Sequence, residues 1–133
     1  MKEKKEIMEK EISILLKIIK FLLERKNKFQ IFYEEGEGEK YQEEDFEELY
    51  SPSIMLDITN KNANKHDIIE MLEKNGFYLT NGADNVDVYE KQINQRTGKK
   101  RKIAVKLIAE VHYQDEDVYK IVVFMKKLVW RIN

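Results

Sequence analysis

The residue types best suited to catalysis in this chain are acidic side chains on segments that alternate like β-strands. Asp57, Asp87, Glu90 and Glu110 fall on such segments, and Lys106 lies close enough in sequence to assist. Carboxylates that converge on two metal ions can hydrolyse phosphodiesters. Because 37% of the residues are charged, sets of this kind also arise by chance. A metal-dependent nuclease is therefore kept only as an alternative to a non-enzymatic protein.

Other reactive groups are scarce. The absence of cysteine removes disulfides, thiolate metal sites and thiol nucleophiles, and fits a reducing cytoplasm. His66 and His112 have no metal-binding partner at helical spacing, so we predict structural or surface roles for both. Phosphate-binding glycine loops and nucleophilic serine motifs are also missing. We therefore expect no cofactor and no metal.

Positive charge is concentrated at the tip of an expected β-hairpin between residues 91 and 106. The cations there are Lys91, Arg96, Lys99, Lys100, Arg101, Lys102 and Lys106, with no acid between them. Such a cluster can neutralise phosphates of DNA or RNA, and we assign this role to Arg96, Lys99, Lys100, Arg101 and Lys102. Lysines also protect exposed strands from aggregation, and both interpretations stay open. No aromatic residue lies within the cluster, which argues against stacking of single-stranded bases.

Negative charge is concentrated between Glu34 and Glu48, where nine acids face a single Lys40 and aromatic residues are interleaved. Carboxylates in this arrangement can imitate a phosphate backbone and dock on a basic groove, with aromatic side chains as anchors. The candidate docking residues for a protein partner are Glu43, Glu44, Asp45, Glu47, Glu48 and Tyr50. A merely solvated acidic loop is the other interpretation. The Asx-rich pattern of a calcium loop is absent.

The segment from Glu3 to about Lys28 is predicted to form a long, strongly apolar helix. Its apolar stripe, at alternating steps of four and three, comprises Met8, Ile12, Leu15, Ile19 and Leu22. A helix this apolar packs inside its own fold or against a second copy, which would give a homodimer. Its most apolar stretch, Ile12 to Leu23, is interrupted by Lys17 and Lys20 and is too short to span a bilayer, so no membrane contact is expected.

The rest of the chain alternates between one short helix and several strands. We predict a strand at 29–33, a loop and short helix up to Leu49, a second helix capped by Asn62 or Asn64 and closed by Gly76, and a turn at Asn81–Gly82. Further strands are predicted at 54–58, 86–94, 101–113 and 118–131. The predicted fold is a single α+β domain, 1–133, with a mainly antiparallel sheet of four to six strands packed by the long N-terminal helix and the second, shorter helix.

Residues 67–103, beginning DIIEMLEKNGFYLTNGADNVDVYEK, resemble the helix–Gly-Phe–strand–strand opening of HicA-type messenger-RNA-cleaving toxins. The resemblance covers about a quarter of the chain and implies an α-β-β-β core. The catalytic histidine of that family is missing, since Asn85 or Val86 stands in its place. The resemblance therefore implies no ribonuclease activity.

The segregation of charge leads to the functional hypothesis. We expect a non-enzymatic, cytoplasmic interaction protein that occupies the surface of a macromolecule. In one version its acidic surface blocks a nucleic-acid-processing enzyme, as a phage or mobile-element inhibitor of the anti-CRISPR kind would. In the alternative version its basic hairpin, 91–106, binds nucleic acid.

Overall fold

The fold is known from a computed structural model that describes residues 40–43 as backbone, 45–51, 53–59 and 63–132, together with Ser13 and Lys17. The described strands are β1 Lys40–Glu43, β2 Phe46–Tyr50, β3 Ile54–Asp57, β4 Ala63–Asn64, β5 Tyr78–Ala83, β6 Val86–Thr97, β7 Arg101–Gln114 and β8 Asp117–Arg131. The helix with described bounds is α1, Lys65–Lys74.

All eight strands belong to one antiparallel sheet. Six of them follow the order β1-β2-β8-β7-β6-β5, and β3 and β4 pair with β8 outside this order. β8 is its organising strand. One side of β8 pairs with β7 over nearly its whole length, and the other side pairs successively with β2, β3 and β4. Backbone bonds bridge the gaps between these short strands: Ser51 N donates to Met125 O, and Ile58 N donates to Tyr119 O.

The three longest strands are consecutive hairpins, as their two-residue periodicity predicts. Asn85, in the turn between β5 and β6, and Asp115, in the turn between β7 and β8, supply the positive φ angles, 68° and 54°, that tight turns require. The predicted turn at Asn81–Gly82 is wrong, because both residues lie within β5 and pair with Val88 and Asp87. The turn falls instead at Asp84–Asn85, since asparagine tolerates the left-handed conformation.

Helix α1 confirms the predicted second helix and its caps. Asn64 accepts a hydrogen bond from His66 N through its side chain, 2.8 Å away, and so acts as the N-cap. Gly76 has φ +88° just after the helix, and Phe77 N donates to Leu72 O. These bonds satisfy carbonyls at the end of the helix and direct Phe77 into the core.

One face of the sheet, here called the helix face, packs against α1 and forms the core. Alternate residues of the long strands point to it, and the buried set includes Tyr89, Val105, Leu107, Ala109, Val111, Ile121, Val123 and Met125 together with Ile68, Leu72 and Phe77. Apolar burial of this kind is the main favourable contribution to folding.

The opposite face, here called the second face, carries the other alternate residues in rows that cross β2, β8 and β7. From one end of the sheet these rows are Phe46–Trp130–Lys102, Glu48–Leu128–Ala104 and Tyr50–Lys126–Lys106. Ala104, Ile108 and Leu128 are buried there. Four aromatic side chains of this face, Phe46, Tyr50, Phe124 and Trp130, are half-buried.

The predicted α+β architecture is wrong. The described chain is mostly antiparallel sheet, 67% strand and 14% helical, with one bounded helix, and it is not a sheet packed by a long N-terminal helix. Strand dominates because β8 recruits short segments along its entire length, including residues expected to be loop or helix.

Two predicted elements fall outside the described residues. They are the strand at 29–33 and the helix from Glu3 to Lys28, within which only Ser13 and Lys17 are described, both helical and exposed. Homodimer formation through that helix stays a prediction.

The acidic segment provides a second correction. A short helix was expected to end near Leu49, but Phe46–Tyr50 forms strand β2. Glutamate favours helices only weakly, whereas β2 gains a complete ladder with residues 126–130 of β8. Tertiary pairing therefore overrides the local preference.

Candidate functional site

The predicted basic residues lie together at one end of the sheet. Arg96 ends β6, Lys99 and Lys100 form the loop closed by a bond from Gly98 N to Arg101 O, and Arg101 and Lys102 begin β7. Register adds a cation that sequence reasoning missed, because Arg131 of β8 stands opposite Arg101. We call this set the basic end: Arg96, Lys99, Lys100, Arg101, Lys102 and Arg131.

The basic end is exposed, and none of its side chains forms an ion pair with another described residue. Five of its six side chains are exposed and Lys102 is half-buried. The ion pairs found among the described residues all involve other cations, namely Lys65, Lys74, Lys106, His112 and Lys126. Six positive charges on a loop and three strand ends create a field that attracts phosphate.

An aromatic pair adjoins these cations in the fold, although no aromatic residue lies among them in the sequence. Trp130 stands opposite Lys102 on one side and opposite Phe46 on the other. The Lys102 ammonium lies 5.3 Å from the Trp130 ring centroid, and the Phe46 and Trp130 centroids are 5.5 Å apart. Strand pairing thus joins residues that are 28 and 84 positions apart in sequence (130 − 102 and 130 − 46).

The predicted acidic residues follow the edge of the sheet. Glu43 ends β1, Asp45 is exposed in the turn, and Glu47, Glu48 and Tyr50 lie on β2, while Glu44 is outside the described residues. The carbonyl of Asp45 accepts a hydrogen bond from Arg131 N. The acidic turn and the basic end therefore share one end of the sheet, with β8 between them.

Glu48 is not available for a partner in the way the sequence suggested. Its Oε1 lies 3.0 Å from Lys126 Nζ. Partial burial raises the pKa of Glu48, but hydrogen bonds with Tyr50 and Lys126 and the charge of Lys126 lower it below its usual value. Tyr50 contributes to the same cluster, with its ring 5.9 Å from that of Phe124.

The acidic and basic segments are close enough to influence each other electrostatically. β2 and β7 are separated by one strand, so their backbones are about 10 Å apart. That is about one screening length at 0.1 M salt. An acidic partner at the basic end would consequently also feel Asp45 and Glu47.

The carboxylates considered for a nuclease do not converge. Asp87 points to the helix face, whereas Glu90 and Glu110 alternate onto the second face. Asp57 is exposed on β3 and accepts a hydrogen bond from Thr59 N. Within the described ranges no group of three metal-ligating side chains is found.

Glu90 on the second face contacts the basic residue that was expected to assist such a site. Its Oε1 is buried without a hydrogen-bond partner in the described structure. The Lys106 ammonium lies 3.7 Å from it and compensates its charge. This pair lies beside the one between Glu48 and Lys126, since Lys106 stands opposite Lys126.

A separate polar cluster ties the start of α1 to the sheet. Lys65 Nζ lies 3.4 Å from Asp87 Oδ2 and 3.8 Å from the Tyr113 ring centroid, and Tyr113 donates to Asp87 Oδ1. The hydrogen bond with Tyr113 raises the pKa of Lys65, and Asp87 adds to this against desolvation. Burial and the charge of Asp87 raise the pKa of Tyr89 nearby. Every member of the cluster has a partner, which indicates a structural role.

The two histidines lie in different surroundings. His66 is exposed in the first turn of α1, and His112 Nε2 contacts Glu110 Oε1 at 3.2 Å on a half-buried part of β7. His112 also lies 6.3 Å from the Tyr119 ring. Neither belongs to a metal-binding group in the portion of the chain that is described.

A cleft of about 460 Å³ occurs at the other end of β7 and β8. It is lined by Thr59, Ala63, Gln114, Asp115, Asp117, Val118 and Tyr119. None of the predicted site residues contributes to it. The described lining of this cleft mixes apolar and acidic groups, and no cation occurs among the lining residues that the structure describes.

Comparison with protein-family models, curated proteins and solved structures finds no match to this chain. The helix-strand-strand-strand order implied by the HicA resemblance does occur, as α1, β5, β6 and β7. Asn85, at the position of the missing histidine, is a left-handed turn residue. Among the helical residues described, no helix is long and apolar enough to cross a bilayer.

Proposed function

We propose that this chain is a non-catalytic binding protein that uses its basic end to contact the phosphate backbone of a nucleic acid. The observation that carries the proposal is the set of six cations, exposed or half-buried, none of which has a carboxylate partner in the part of the chain that the structure describes. They come from β6, β7, β8 and the loop between β6 and β7, so their backbones are held by the sheet ladder. A rigid array loses less entropy on binding than a flexible tail.

The proposal predicts strong dependence on salt. Contact by six cations gives a slope of about −5 in log affinity against log salt for a duplex, so that affinity falls roughly a thousandfold between 50 and 200 mM. Phosphate contacts carry no sequence information. Affinity should consequently be similar for unrelated sequences of equal length.

Charge reversal at the hairpin tip tests this. We expect Lys99→Glu combined with Lys100→Glu to abolish the mobility shift at 50 mM salt and to flatten the salt slope. The matched control is Lys74→Glu with Lys120→Glu, which changes the net charge equally but lies outside the basic end. Failure of the wild-type protein to shift any nucleic acid at low salt would contradict the proposal, as would an equal loss in the control.

A second candidate function uses the acidic hairpin β1–β2 to bind a protein. It is favoured by the position of that hairpin at the edge of the sheet, with Asp45 exposed at its turn. In this version the chain covers the nucleic-acid-binding groove of an enzyme and inhibits it, as an anti-CRISPR protein would. The cysteine-free composition suits action in the cytoplasm, where such enzymes occur.

Reversal of the acidic residues separates the two candidates. Lysine at Glu43, Glu44, Asp45 and Glu47 should abolish both capture of an enzyme from the native host and inhibition of its cleavage activity. The control reverses four exposed acids elsewhere, Glu70, Glu73, Glu116 and Asp117. Capture and inhibition that survive the first variant would rule out the acidic surface.

A further inference from the structure

We infer that the nucleic acid bound at the basic end is single-stranded, with one base stacked on Trp130. This rests on the proposed function and adds the class of ligand. The observation is the row Phe46–Trp130–Lys102, which runs across three adjacent strands of the second face directly beside the loop cations. Single-strand binding sites combine such aromatic side chains with a basic track for the backbone.

The geometry of the row suits a base better than a phosphate alone. Trp130 is half-buried, and Phe46 packs against it with a tilt of 45° between the rings, which leaves the indole supported from the side. Support of this kind holds the ring in one orientation, so little entropy is lost when a base stacks on it. In a duplex the bases are paired and stacked, and only the phosphates would reach the basic end.

Lys102 can exchange its contact with the Trp130 ring for a contact with a phosphate group. Its ammonium lies near the face of Trp130, at 5.3 Å from the ring centroid. Contact between a partly exposed cation and an aromatic ring is weaker than stacking of a base on the same ring. An incoming base therefore displaces the ammonium, and the freed Lys102 pairs with the adjacent phosphate.

Two of the described acidic side chains nearby are compensated by lysines, whereas Asp45 places negative charge on the β2 side of the row. Glu48, in the next row, is paired with Lys126, and Glu90, further along, is paired with Lys106. Asp45 lies at the turn beyond Phe46. The stacking site is thus bordered by loop cations on the β7 side and by compensated carboxylates further along the strands.

Trp130 is the one tryptophan of the chain, so its fluorescence reports directly on stacking. The probes are an unstructured single-stranded oligonucleotide and a duplex of the same length, each titrated at the same low salt. We expect quenching and higher affinity with the single strand, and binding without quenching with the duplex. Equal affinity for both without quenching would overturn the inference while leaving the proposed function intact. No binding to either would overturn both.

Variants separate stacking from folding. Trp130→Ala should weaken single-strand binding roughly tenfold or more, measured by anisotropy of a labelled oligonucleotide, and leave duplex binding unchanged. Trp130→Phe keeps an aromatic ring and should restore most of the affinity. The control Tyr119→Ala removes an exposed ring near the other end of β8 and should have no effect. Loss of duplex binding in Trp130→Ala to the same extent would contradict the stacking role.

Discussion

At the scale of single residues, Glu48 shows that strand pairing can give a charged side chain a structural role that the sequence does not indicate. In the sequence it is one of nine acids between residues 34 and 48 and looks like part of a docking surface. In the fold it is half-buried and held by Lys126 and Tyr50. Its ion pair with Lys126 and its hydrogen bonds therefore contribute to the stability of the fold.

The pKa of Glu48 leads to a prediction about pH. Because its folded-state pKa lies below the ordinary 4.5, its ionised form contributes stability above that value, and the contribution is lost as the pH falls through the folded-state pKa. We expect Glu48→Gln to lower the free energy of unfolding at pH 7 by about 1 kcal/mol or less. The difference from wild type should shrink as the pH falls below 4.5 and through the lowered folded-state pKa of Glu48.

Denaturant unfolding at a series of pH values measures this difference. Glu116→Gln, in the exposed turn between β7 and β8, serves as the control and should match wild type throughout. A constant offset between Glu48→Gln and wild type from pH 7 to pH 3 would show that the ion pair has no role in the pH dependence.

At the scale of elements, the segment that joins β2 to β3 keeps β8 hydrogen-bonded at Met125, where β8 pairs with neither strand. Ser51 is buried there, donates its backbone N–H to Met125 O and accepts from Met125 N through its hydroxyl at 2.7 Å. The side chain thus replaces a missing rung of the ladder. The Ser51 hydroxyl is the acceptor that this side chain provides for the buried N–H of Met125.

Removal of that hydroxyl should be costly. We expect Ser51→Ala to lower the free energy of unfolding by about 1 kcal/mol, the usual net contribution of one hydrogen bond. Ser53→Ala, two residues away and exposed, should change it by less than about 0.5 kcal/mol. Equal stabilities of the two variants in urea unfolding would refute this account of the segment that joins β2 to β3.

At the scale of the whole molecule, the sheet has a well-packed centre and exposed margins. β7 and β8 carry most of the core, and Leu107, Ala109 and Val111 are fully buried. By contrast, all six residues of β5 are exposed even though the strand pairs with β6. Local stability should therefore fall from β7 towards β5.

Amide hydrogen exchange is the direct measurement of this gradient. We expect the amides of β7 and the middle of β8 to exchange last, near the rate of global unfolding, and those of β5 to exchange first. The basic end lies at the tip of the β6–β7 hairpin and should be intermediate, with protection rising along the strands away from Gly98. Protection of β5 equal to that of β7 would mean that the exposed strand is covered in solution.

Local patterns in the sequence were sufficient for the second helix, its Asn64 cap, the closing Gly76 and the three long strands, because each depends on neighbours within a few residues. The fold class was wrong because it gave a dominant role to the apolar segment 3–28 and treated residues 43–49 as helix. The aromatic row at the basic end was missed for a related reason. It exists only through the pairing of β2 and β7 with β8.

The sequence by itself determined which segments alternate, where charge accumulates and where the chain turns, since these follow from bonded neighbours and intrinsic side-chain preferences. Only the tertiary structure decided which side chains meet. A strand has the same alternation whatever its partner, and one residue of register moves every side chain to the other face. The free energy that selects the partner of β8 comes from burial and backbone pairing between distant segments, and these appear only when the sheet assembles.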